Sequence, residues 1–308
     1  MDIGLALPHY DYSFPDGTDA TMERVLEYAL RAETLGFDSA WVSDHLFLDL
    51  AKYGGPARRY RTPECLTMMA AVAARTTRIR IGSLVLCASF RHPRILSEQL
   101  RSVDDASHGR LEVGLGAGWY EPEFLAAGIP FGTVPQRIER MRTIAGHLDA
   151  QLHPRPPIWI GGKGGPKVMS VVAEHADGWN VVWRITPEQF RERLDTLAEA
   201  CAAVKRDPAT VRLSVGLYTL MGTDDRDLAQ RFKALQAWTP GGALDSTSLD
   251  AYREGGLVGT PDECAAIVKD FEAFGVDTLI VAPASLPFAV FDDEQLELIA
   301  RELIPRVR

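Results

Sequence analysis

Asp44-His45 is the one acid–imidazole neighbour pair that closes an apolar run, Ser39-Ala-Trp-Val-Ser43. A histidine in such a place can give or take a proton near neutral pH, or it can cap strand backbone. His9 follows another apolar run and His92 stands before a proline, and both are weaker candidates for the same role. Two glycine-rich stretches add a different chemistry. Gly114, Gly116 and Gly118 strip the side chains from the end of a run carrying Leu111, Val113 and Leu115. Such glycines let a flat or anionic ligand approach the backbone, or let strands pack too closely for side chains. Gly161-Gly162-Lys163-Gly164-Gly165-Pro166 joins an apolar run to a helix start. Free N–H groups and the helix dipole suit a phosphate there, with Lys163 adding a point charge, and the other reading is a flexible turn. Arg58, Arg59 and Arg61 are either an anion-facing cluster or a solvated one.

Several chemistries are excluded. The chain has no G-x-x-x-x-G-K-[ST] phosphate loop, no dinucleotide fingerprint, no H-E-x-x-H or C-x-x-C metal spacing, and no G-x-S-x-G nucleophile elbow. With no metal set and no nucleophile, a redox cofactor is the natural carrier of chemistry.

The elements that must position these residues follow a regular rhythm. Apolar runs over 3–7, 39–43, 79–86, 111–116, 156–162, 179–183, 211–221 and 276–282 read as eight buried strands. Helical periodicity or capping signals mark 19–35, a helix opened by Thr62-Pro63-Glu64, and 93–106, 135–148, 166–176, 186–204, 224–238, 260–275 and 292–303. Residues 239–256 read as a polar connection. Eight strands alternating with helices, without a linker or composition break, predict an α/β fold of the (β/α)8 TIM-barrel type spanning 1–308 as one domain. In such a barrel the chemistry sits at the C-terminal strand ends, where Asp44-His45, 83–87, 116–119 and 161–165 all fall.

The net charge of −9 argues against a nucleic-acid or anionic-membrane surface, though not against a small anionic cofactor. The four cysteines, Cys65, Cys87, Cys201 and Cys264, are scattered and read as reduced core residues of a cytoplasmic protein. Met1-Asp-Ile-Gly-Leu is not a signal peptide, and no apolar run is long enough to span a bilayer.

Motifs through most of the chain carry a family resemblance. They are Trp41-Val-Ser-Asp-His45; Ile81-Gly-Ser-Leu-Val85 with Arg91-His-Pro93; Gly109-Arg-Leu-Glu-Val-Gly-Leu-Gly-Ala-Gly-Trp119 with Gly128-Ile-Pro-Phe131; Pro157-Ile-Trp-Ile-Gly-Gly162; and Ala176-Asp-Gly-Trp-Asn180. The chain resembles the bacterial luciferase-like flavin/deazaflavin superfamily, and within it the branch that uses coenzyme F420. The resemblance implies a barrel holding the ring over strand three, at a bulge with a non-proline cis peptide expected at Ser83–Leu84. It implies cofactor contacts from Asp44, Ser83, Leu84, Cys87, Ala117, Gly118, Trp119, Gly161, Gly162, Lys163 and Gly164. His45 is implied as the proton donor or substrate-positioning group, with no metal. The implied reaction is hydride transfer between F420 and a small organic substrate such as an alcohol, enone or imine, by a homodimer. The alternatives are an FMN-dependent monooxygenase fed by a partner reductase, and a non-catalytic flavin-binding protein. Sugar-phosphate dehydrogenases of the family carry a glutamate where this chain has Trp119, and a tryptophan shortly after Asp-His that 46–49 lacks. Residues 148–157 are shorter than in relatives, which implies a more open roof over the substrate.

Overall fold

The computed structural model describes all residues, Met1–Arg308. Eight strands, β1 Asp2–Ala6, β2 Ser39–Val42, β3 Arg80–Ser83, β4 Leu111–Gly116, β5 Ile158–Gly161, β6 Gly178–Trp183, β7 Arg212–Met221 and β8 Val276–Ala282, pair in parallel in chain order. The ring closes where Leu5 of β1 lies opposite Val281 of β8. This is the predicted (β/α)8 barrel, with its apolar strand faces buried against the surrounding helices. No helix is long and apolar enough to cross a membrane. All four cysteines are free and buried.

Glycines let two tryptophans fill the N-terminal half of the barrel. A Cβ at Gly82 would stand 2.1 Å from the Trp41 ring, and one at Gly178 would stand 2.3 Å from Trp159. Trp41 and Trp159 meet edge to face at 6.3 Å, and the Trp159 indole N–H donates to Glu112 at 2.5 Å. With that end plugged, open space is left at the C-terminal strand ends.

Most helices begin with a side chain accepting a backbone N–H: Thr21, Glu64, His92, Thr133, Thr186, Asp224 and Thr260. One start differs from the sequence reading. The helix after β2 is Cys65–Arg75 with Glu64 as its cap, because the Thr62 hydroxyl is taken by His9 instead. The connection at 239–256 is also more ordered than expected, with a short helix Leu249–Arg253 leading into Leu257–Gly259, which pairs with the far half of β7.

The short passage after the fourth strand carries no roof. Helix Val134–Gln151 returns the chain to the start of β5, at the N-terminal end of the barrel. There Arg155 pairs with Asp149 and Asp177. The expectation of an opened pocket is therefore corrected: what is trimmed lies at the opposite end. The mouth is roofed by the loop after β2, which folds into a small antiparallel pair, Phe47–Leu48 with Tyr60–Arg61. The short helix Glu121–Ala126 and the turn at Pro287 and Phe288 complete the roof.

Candidate functional site

β3 does not run straight to its end. Its register against β4 slips by one residue between the Gly82–Glu112 and Leu86–Leu115 pairs, so the strand bulges. The non-proline cis peptide falls at Leu84–Val85, one bond beyond the expected Ser83–Leu84, and a second lies at Val182–Trp183. The bulge explains the glycine strand. A Cβ at Gly114 would meet the Ser83 carbonyl at 2.1 Å, and one at Gly116 would meet Val85 at 2.3 Å. Close packing is thus the reason for both glycines. Gly118 differs: it is in the left-handed region at φ 78°, wedged against Phe124 and the Cys87 sulfur.

A cavity of about 480 Å³ opens above the bulge. Asp44, His45, Leu84, Cys87, Ala117, Gly118, Trp119, Gly161, Gly162 and Lys163 all line it. Ser83 and Gly164 do not. The Ser83 hydroxyl donates to the Gly114 carbonyl and accepts the Gly114 N–H, both at 2.9 Å, so it ties β3 to β4. Gly164 is buried at a left-handed turn against Trp179 and Met169. Ser83 is thus committed to the wall, which corrects its reading as a ligand contact, while Gly164 lies outside the lining and has only its backbone N–H to offer.

At one side of the cavity, donors lack acceptors. Helix Pro166–His175 begins at Gly165 with no side-chain cap, unlike the other long helices. The N–H groups of Lys163, Gly164, Gly165 and Lys167 have no acceptor within the chain, nor do those of Ala117 and Gly118 on β4's extension. Gly162 contributes differently, since its N–H is spent on the Asn180 carbonyl. Arg137 lines the same side and donates to the carbonyls of Gly118 and Gly132, with no carboxylate partner. Such a set of donors and positive charge suits an anion.

At the other side stands His45. Its Nδ1 lies 2.6 Å from the Glu123 carboxylate, whose second oxygen accepts the Leu46 N–H at 2.6 Å. A carboxylate only accepts, so Nδ1 carries the proton and Nε2, which has no partner in the chain, is left for the cavity. Glu123 is buried and comes from the short helix Glu121–Ala126. Trp119 closes on the imidazole edge to face at 5.6 Å.

Asp44 is engaged internally. Arg91 grips it through two bonds, at 2.5 and 2.9 Å, and the Cys87 N–H adds a third at 2.9 Å. Arg91 also reaches Glu64 at 2.6 Å. Burial opposes the Arg91 charge, but hydrogen bonding and attraction from Asp44, then Glu64, outweigh it and raise its pKa. The expected contact of Asp44 with a ring therefore shares a carboxylate whose main task is to join the ends of β2 and β3.

The other histidines and the arginine cluster take structural places. His92 caps helix Pro93–Ser107. Arg58 and Arg59 lie on the faces of Tyr60 and Phe47. His9 is fully buried; its Nε2 accepts the Ser43 N–H at 3.1 Å, so Nδ1 donates to Thr62 at 2.9 Å. Burial, with the nearby His45 charge, lowers the His9 pKa to about 3. Folded His9 thus stays neutral where the unfolded residue would bind a proton. Its contribution is complete above pH 6.5 and is lost as pH falls toward 3. At pH 5 the loss is about 2 kcal/mol. Denaturant titrations from pH 7.5 to 4 are expected to show this slope in the wild type and a slope shallower by about one proton in His9→Asn. Equal slopes would mean that His9 titrates in the folded protein as it does unfolded.

Glu123 and Lys52 escaped sequence reading, and Arg91 entered it only within a family motif, with no role. Arg91 and Glu123 lie 47 and 78 residues from their partners, and Lys52 sits in a loop with no periodicity. The one available signal was Glu123 at the turn into an unpredicted helix, with Tyr120-Glu-Pro preceding it.

Residues 1–278 match the luciferase-like monooxygenase family model, and the chain belongs to that family. It is similar to an F420-dependent glucose-6-phosphate dehydrogenase of Amycolatopsis mediterranei, 26% identical over 299 residues that cover 83% of this chain and 87% of the relative. It is also similar to a 5,10-methylenetetrahydromethanopterin reductase of Methanolobus tindarius, 24% identical and covering 91% and 95% of the two chains. In fold it is similar to an F420-dependent secondary alcohol dehydrogenase solved with an F420-acetone adduct, at a TM-score of 0.73 and 20% identity over 100% and 99% of the two chains.

Proposed function

We propose that this chain is an F420-dependent oxidoreductase that moves a hydride between coenzyme F420 and a small organic substrate, an alcohol, enone or imine. The observation that carries the reading is the pairing of two half-sites in one cavity. Lys163 and Arg137 line one side with the acceptor-less N–H groups of Lys163, Ala117 and Gly118, the acceptor-less N–H groups of Gly164, Gly165 and Lys167 follow at the adjoining helix start, and the His45–Glu123 pair lies on the other side. The relatives named above as F420 enzymes support the choice of cofactor.

The donor set fits a phosphate-bearing cofactor, and the bulge at Leu84–Val85, with Val85 against Gly116 and Gly161, offers an apolar ledge beneath a flat ring. Gly118, Lys163, Arg137 and the uncapped helix start would hold the phosphate; Leu84, Val85 and Cys87 would back the ring. When bound there, the deazaflavin supplies a carbon that donates or accepts hydride. The protein's own part is proton handling and exclusion of water. His45 Nε2 takes a proton from a substrate hydroxyl or returns one to a carbonyl oxygen, and Glu123 holds the imidazole in the tautomer that permits this. The imidazolium formed on proton uptake is stabilised by the adjacent carboxylate. Trp119, Trp183 and Phe288 wall the substrate half with aromatic surface.

An FMN-dependent monooxygenase is the second reading, favoured by the family's description. Titration of the purified protein with F420 and separately with FMN, followed by ring fluorescence, tests the first. Saturable F420 binding with weak FMN binding is expected. Tight FMN binding without F420 binding would transfer the chain to the second reading.

A further inference from the structure

The charges around the cavity are unbalanced. Only two carboxylates line it, and both are committed: Asp44 to Arg91 and the Cys87 N–H, Glu123 to His45 and the Leu46 N–H. Three cations line it with no carboxylate partner: Lys52, Arg137 and Lys163. This excess of positive charge runs against a chain whose net charge is −9. Arg137 and Lys163 belong to the phosphate side. Lys52 does not. It comes from the turn Ala51–Tyr53 in the loop after β2, and its ammonium lies 3.6 Å from the centre of the Trp119 ring. Trp119 in turn abuts His45, so Lys52 stands on the proton-transfer side.

Nothing in its own segment neutralises Lys52. Asp49 accepts from the Tyr120 hydroxyl and from the Ala51 N–H. Lys52 is exposed but partly desolvated, and this, then the like charge of Lys163, lower its pKa; the attraction of an incoming anion would offset both. Trp119 and Tyr53 flank the lysine, and Tyr10, Trp183 and Phe288 add aromatic surface to the same cavity. Phe288 is held in place, at φ 53°, by the Ser13 hydroxyl donating to its carbonyl at 2.6 Å. A bulky residue rarely adopts that conformation, and here the strain fixes a wall of the cavity.

Resting on the proposed function's assignment of the His45 side to substrate, we infer that the substrate is an organic carboxylate with a flat apolar body, its carboxylate on Lys52 and its body against Trp119. A carboxylate fits better than a phosphate ester. The N–H groups of Tyr53, Gly54 and Gly55 are all spent on the carbonyls of Leu50 and Ala51, so this side offers one ammonium and no nest of free donors. The phosphate side offers such a nest.

Calorimetric titration of the whole protein with benzoate tests this. The wild type is expected to bind benzoate saturably and to prefer it over benzyl alcohol and phenyl phosphate. Lys52→Met is expected to weaken benzoate by about tenfold, the worth of one charge-assisted hydrogen bond. Lys163→Met is expected to change benzoate affinity far less than Lys52→Met does, while weakening inorganic phosphate more. Lys52 is at the surface, and an unchanged melting temperature will verify that its variant is folded. The inference is overturned by no saturable benzoate binding, by equal affinity for benzoate and either comparison ligand, by unchanged affinity in Lys52→Met, or by a loss that follows Lys163 instead. F420 titration of the same samples separates the two readings. If F420 fails to bind while benzoate tracks Lys52, the cofactor reading falls and the carboxylate site stands. If F420 binds and benzoate ignores Lys52, only the inference falls.

Discussion

Replacing Glu123 by glutamine is expected to lower kcat about a hundredfold, with F420 affinity unchanged. The carboxylate accepts from two donors at once, His45 Nδ1–H and the Leu46 N–H. Glutamine has one acceptor oxygen. If that oxygen keeps the Leu46 N–H, the amide NH₂ faces the imidazole, which pairs with it only by moving its proton to Nε2. The nitrogen assigned to the substrate then arrives already protonated, and the imidazolium loses its neutralising partner. His45→Ala, which removes the group altogether, is expected to lose about a thousandfold. Because Glu123 acts through His45, the decisive reading is the split between constants. A kcat loss with KM held marks a positioning role, and a matched loss of thermal stability with no change in kcat would reduce Glu123 to a structural anchor of the mouth.

The difference between what was and was not readable in the sequence follows from range. Parallel strands buried on both faces are short apolar runs, and the chain writes them locally; helices announce themselves through Thr-Pro caps such as Thr186-Pro187 and Thr260-Pro261. Asp44-His45 and the glycine loop at 161–165 were legible for the same reason, since each lies within a few residues of its strand. The cis bond was misplaced by one residue because nothing local distinguishes Ser83–Leu84 from Leu84–Val85; the bulge is set by how β4 packs against it through Gly114 and Gly116. Those glycines looked ambiguous between packing and ligand because the deciding atoms, the Ser83 carbonyl and the Val85 side chain, belong to another strand. Glu123 was invisible as a partner of His45, since only the closed barrel brings the loops after β2 and β4 together. Thr62 misled for a related reason: a good capping residue was claimed by a distant histidine, and Glu64 took the cap.

Arg91→Met is expected to cost about 3–5 kcal/mol of stability, because it strips a buried carboxylate of its counter-ion. Asp44 is 5% exposed, and without the guanidinium only the Cys87 N–H would remain to it. Methionine keeps much of the arginine stem's volume, so the loss reports the charge and its hydrogen bonds more than a cavity. Asp44→Asn in the same background removes the stranded charge, and the double variant is expected to regain part of the loss. Denaturant unfolding of the four proteins in this cycle measures the coupling directly. A loss below about 1 kcal/mol in Arg91→Met would place the pair with ordinary surface ion pairs. The reach of the effect is the second part of the argument. Arg91 joins Asp44 at the end of β2, the bulged end of β3 through Cys87, and Glu64 at the cap of helix Cys65–Arg75. Removing it frees the ledge beneath the proposed ring and the strand end that carries His45 together. F420 affinity is therefore expected to fall in Arg91→Met even at temperatures where the barrel remains folded, whereas Glu123→Gln, which disturbs only the far side of the cavity, leaves it intact.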